Sequence, residues 1–154
     1  MSFSPTGKLH GFVTSLGFED VLVSELGLAR AALGPRWPGL ISTTREWTAP
    51  LDPVFARQQL PGASLLRGQS VKDLAEAAYA AIEEVVQSLA PFTVHVFTPD
   101  PVAYRSLAGR AALVEAALLA LVKERRRRAF RNFLPWPTCP VSYTHLTLPT
   151  NREV

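Results

Sequence analysis

The hydrophobic and polar positions of this chain follow two periods, one typical of strands and one typical of helices. Runs of β-branched and aromatic residues bounded by glycine or proline predict strands at residues 9–15, 40–47, 54–60 and 92–98. Apolar positions at helical spacing predict helices at residues 18–26, 70–88 and 107–131. Both kinds of element therefore alternate along the chain.

The helix predicted from residue 70 has the most complete sequence signature. Ser70 is a favourable N-cap, and Asp73 resembles the acidic partner of a capping box. An apolar stripe follows at helical spacing, formed by Val71, Leu74, Ala78, Ile82, Val85 and Leu89. Pro91 ends this segment, and Gly27 is the expected stop of the first helix.

Together these elements predict an α+β fold, a small mixed sheet with packed helices that ends in a long basic helix. The order of elements over residues 54–122 is typical of half of a ferredoxin-like RNA-binding sandwich. A hydrophobic content of 47% is enough to bury a core. The N-terminus lacks a secretory signal, and the most apolar run, residues 111–122, contains Glu115 and is too short to span a bilayer. We expect a soluble, cytoplasmic protein with no membrane partner.

The charge of the chain is unevenly distributed. Residues 1–104 carry seven Lys or Arg and ten Asp or Glu, a net charge of −3. Residues 105–131 carry eight Lys or Arg and two Asp or Glu, a net charge of +6. A localised basic patch of this kind favours a polyanionic partner more strongly than a uniformly high pI does.

Most of this positive charge lies in a basic segment, residues 123–131, which holds five arginines and one lysine. Cations near a helix C-terminus are stabilised by the helix dipole, but so many repel one another at i+3 and i+4. Phosphate groups would relieve that repulsion. The candidate RNA contacts are Lys123, Arg125, Arg126, Arg127, Arg128 and Arg131. An acidic protein surface and a merely solvated helix end are the alternatives.

The chain lacks the common catalytic and cofactor motifs. It has no Gly-rich phosphate loop, no HExxH and no GxSxG. Glu83 and Glu84 are adjacent in a helix and diverge, and His95 suits a half-buried strand position better than a ligand or a base. Cys139 is the only cysteine, so it forms neither an intrachain disulfide nor a CxxC metal site. We expect no metal and no catalytic residue within these 154 residues.

Five segments of the chain resemble segments of a known family. LHGFVTSLGFEDVLVSEL, residues 9–26, resembles the opening of bacterial large-subunit ribosomal RNA ribose 2′-O-methyltransferases of the FtsJ-like class. VFARQ, residues 54–58, resembles the Phe-Ala-Arg-Gln segment of that family. The helix from Ser70, the strand PFTVHVF and the helix LAGRAALVEAALLALVKERRRR resemble its THUMP-type RNA-binding domain and the helix that leaves it.

The resemblance implies a domain organisation and a partner. It implies a small α/β subdomain at residues 1–50 and a THUMP-like RNA-binding region at residues 51–133, followed by a Pro-rich linker at 134–140. The partner would be ribosomal RNA. The S-adenosylmethionine site and the Lys-Asp-Lys-Glu catalytic residues of the family would follow residue 140, so no cofactor-binding or catalytic residue is assigned in this chain. Arg57 is a further candidate RNA contact, or else a structural partner for a buried carboxylate or carbonyl.

The last fourteen residues, 141–154, resemble the translation of a sequencing adapter joined in frame to a gene fragment. Composition changes abruptly after the Pro-rich stretch, and the segment has neither hydrophobic period nor charge bias. We expect this tail to be non-native and unstructured.

These observations favour the RNA-binding N-terminal region of an S-adenosylmethionine-dependent rRNA 2′-O-methyltransferase that lacks its catalytic domain and is itself inactive. The alternative is a stand-alone protein-interaction domain that docks an acidic partner through its basic helix. A small enzyme with an unrecognised site is a third possibility, which the absence of catalytic motifs from the sequence disfavours.

Overall fold

The computed structural model describes residues 8–86, 92–100, 102–125, 133 and 143–147, which form an α+β protein as the sequence predicts. Its helices and strands are β1 (Leu9–Thr14), α1 (Glu19–Glu25), β2 (Leu40–Thr43), β3 (Ala56–Ala63), α2 (Val71–Val85), β4 (Thr93–Phe97), α3 (Arg105–Arg125) and β5 (Tyr143–Thr147). The described residues divide into two compact units. The N-terminal unit contains residues 8–65, 99–100 and 102–104, and the helical unit contains residues 66–86, 92–98, 105–125, 133 and 143–147.

The N-terminal unit is built on a three-stranded antiparallel sheet of order β2-β1-β3. The central strand β1 is buried along nearly its whole length, which fits its position between two neighbours. Helix α1 contributes to the core of this unit, whose buried residues are Phe12, Leu22, Leu26 and Ile41. As expected, the helix stops at Gly27, which has a φ of 62° that glycine adopts without steric cost.

Two strands of this sheet differ in length from the prediction, for local reasons. The expected strand at residues 40–47 ends at Thr43, because the Thr43 hydroxyl accepts the Arg45 amide at 3.1 Å and removes it from the ladder. The expected strand at residues 54–60 begins only at Ala56 and continues past Pro61 to Ala63. Proline is tolerated there because β3 is an edge strand of the described sheet.

The helical unit packs α2 and α3 on one face of β4. The predicted capping box is confirmed: Ser70 Oγ accepts the Asp73 amide at 3.1 Å, and the Asp73 carboxylate accepts the Ser70 amide at 3.2 Å. The buried core of this unit consists of Ala75, Ala78, Tyr79, Ile82, Phe92, Val94, Leu118 and Val122. On one side of β4, Phe92, Val94 and Val96 are buried as the predicted alternation requires. On the other side Thr93 is also completely buried, whereas His95 and Phe97 are half-buried, so burial does not alternate strictly along the strand.

The expectation of an unstructured tail is wrong for part of that segment. Tyr143–Thr147 forms β5, which pairs in parallel with β4 over five consecutive residue pairs from Thr93↔Tyr143 to Phe97↔Thr147. Backbone pairing needs no particular side-chain sequence, and Tyr and Thr suit extended backbone. The adapter origin of residues 141–154 stays a prediction.

The strands of the described part lie in two sheets, since β3 pairs with β1 whereas β4 pairs with β5. The expected placement of residues 54–122 in one half-sandwich is therefore not observed there. Among the described residues, no helix is long and apolar enough to cross a membrane.

Candidate nucleic-acid interface

The basic segment begins where the buried face of α3 ends. Four residues of α3 are buried at spacings of three and four, namely Ala111, Val114, Leu118 and Val122. The next three residues, Lys123, Glu124 and Arg125, are exposed. Within the described part of α3, the change from buried apolar residues to exposed charged residues thus occurs after Val122.

Arg125 does not project freely into solvent. Its Nη2 lies 2.6 Å from Glu76 Oε1 on α2, and its guanidinium carbon lies 5.1 Å from the centroid of the Tyr79 ring. Its side chain is 32% exposed, whereas Tyr79 is almost completely buried. Arg125 thus joins α3 to α2 through an ion pair and a cation–π contact, and it would have to leave Glu76 in order to bind a phosphate.

The basic segment has five other predicted RNA contacts. The structure describes one of them and not the other four. Lys123 lies on the last turn of α3 and is exposed. Arg126, Arg127, Arg128 and Arg131 lie outside the residues that the structure describes, so their role in RNA binding stays a prediction.

Arg57 lies on the exposed edge strand of the N-terminal unit. The register between β1 and β3 shifts here, because Val13 faces Gln58 and Thr14 faces Ala56, which leaves Arg57 without a direct partner on β1. Its side chain is exposed, and it makes no hydrogen bond or ion pair with any described residue. The described part thus shows no buried carboxylate or carbonyl that would hold Arg57 in a structural role.

The side chains of His10 and His95 contact residues of the folded core elements. His10 stacks on Phe12 at 4.5 Å and approaches Gln59 Oε1 at 3.2 Å through Nε2. Burial lowers the pKa of His10, and the Gln59 contact opposes that shift in part. His95 Nδ1 lies 3.9 Å from Glu115 Oε1, too far for a hydrogen bond. Within the described ranges, no cluster of His, Cys, Asp or Glu is suited to hold a metal ion.

One feature of the N-terminal unit was missed by the sequence analysis, which assigned Phe18 to the start of α1 and Phe55 to β3. The two rings stack at 5.7 Å with an interplanar angle of 18°, and we call this pair the aromatic platform. Phe18 is 45% exposed and Phe55 is 37% exposed. Exposed aromatic residues separated by 37 positions carry no periodic signal, so only the tertiary structure brings them together.

No protein-family model, curated protein or solved structure matches this chain.

Proposed function

We propose that this chain is the RNA-binding N-terminal region of an S-adenosylmethionine-dependent rRNA ribose 2′-O-methyltransferase. The RNA-binding part of the proposal rests on one observation. The buried stripe of α3 ends at Val122, and the basic segment begins at the next residue, Lys123. Beyond Val122 the helix has no further core residue of its own to bury within the described part.

The charges of the basic segment suit an RNA backbone. Arginine has a planar fork of donors that matches phosphate oxygens, and it stays charged at any physiological pH. Helical RNA is recognised mainly by shape and by contacts to phosphates and 2′-hydroxyls, because its deep major groove hides the base edges. Arg126, Arg127, Arg128 and Arg131 would supply phosphate contacts of this kind, with Lys123 at the end of α3.

The methyltransferase part of the proposal is supported by the sequence resemblance alone. S-adenosylmethionine would supply the methyl group in the parent enzyme. This chain contains no Gly-rich loop of the type that holds such a cofactor, so its residues do not provide the site. The role proposed for this region is to bind folded rRNA and to present a nucleotide to a catalytic domain. Cytoplasmic localisation follows from that role and belongs to the same proposal.

The test is the salt dependence of RNA affinity. We compare the chain with a triple variant, Arg126→Gln, Arg127→Gln and Arg131→Gln, on a fluorescein-labelled structured fragment of large-subunit rRNA. Each lost phosphate contact should make the slope of log affinity against log salt shallower by roughly 0.7–0.9, so the triple variant should lose about two to three units of slope. Glutamine retains helix propensity, so the helix content by circular dichroism should not change.

A matched control separates local contacts from net charge. Arg30, Arg67 and Arg105 are exposed, and their replacement by glutamine removes the same three charges elsewhere. This control should retain most of the slope. Equal slopes for the parent and the basic-segment variant would overturn the RNA proposal. If the parent then bound an acidic protein surface with the same three arginines, the protein-interaction alternative would replace it.

A further inference from the structure

We draw no further inference here: the strongest candidate, the exposed apolar face of α3 formed by Gly109, Ala112, Leu113, Ala116 and Ala120, is a stripe of mostly small residues, and nothing in the described part of the chain shows what covers it.

Discussion

Arg125 is predicted to stabilise the packing of α3 on α2 rather than to bind RNA, and its replacement by glutamine tests this. Arg125 and Glu76 are joined at 2.6 Å, with side chains 32% and 37% exposed, so solvent screens the pair and it contributes about 0.5 kcal/mol. The cation–π contact with Tyr79 adds about 0.5–1 kcal/mol. Arg125→Gln should therefore lower the free energy of unfolding by about 1–1.5 kcal/mol, or about 2–6 °C in melting temperature for a chain of this size.

A double-mutant cycle measures the contribution of each contact. Glu76→Gln alone should cost about 0.5 kcal/mol. In the Glu76→Gln background, Arg125→Gln should cost less than in the parent, and the remaining loss reports the contact with Tyr79. Arg105→Gln, at the exposed start of α3, is the control and should change stability by less than about 0.5 kcal/mol. The reasoning is refuted if Arg125→Gln leaves stability unchanged while it makes the RNA salt slope shallower by about 0.7–0.9, the value for one phosphate contact.

Two further predictions concern the sheet and the pH dependence. Deleting residues 141–154 removes β5, the strand that pairs with β4, so the free energy of unfolding should fall by about 1–2 kcal/mol. The backbone amides of β4 should also exchange faster with deuterium. An unchanged exchange rate would show that β5 does not protect β4. His10 has a lowered pKa in the folded chain, because burial disfavours its charged form. The unfolded chain therefore takes up this proton more readily, so stability should be full above the ordinary value of 6.5 and fall as the pH drops below it. His10→Gln should flatten that decline, and identical urea denaturation profiles for both proteins between neutral and acidic pH would contradict the assignment.

Local signals in the sequence predicted most of the helices and strands. The Ser70–Asp73 capping box and Gly27 act within a few residues of themselves, so their effect does not depend on the rest of the fold. The concentration of positive charge from Lys123 onward was likewise readable from the sequence. Predictions failed where a distant side chain intervened: Glu25 captures the amides of Val54 and Phe55, and β3 begins only after them.

Strand pairing depended on contacts distant in sequence. Alternation marks a strand but does not identify its neighbour, so the sequence did not show that β3 joins β1 while β4 joins β5. The pairing of Tyr143–Thr147 was not predictable for the same reason. This segment has no hydrophobic period, but it forms β5 because the edge of β4 offers backbone hydrogen-bond partners.

By itself, the sequence determined the α+β class, the helix caps and the concentration of positive charge beyond Val122, because each depends on residue type and local spacing. The tertiary structure decided the surroundings of the arginines that it describes. It placed Arg125 against Glu76 and Tyr79, and it left Arg57 exposed on an edge strand. It also stacked Phe18 on Phe55. These outcomes depend on which distant groups come within a few ångströms of each other, and only the folded chain sets those distances.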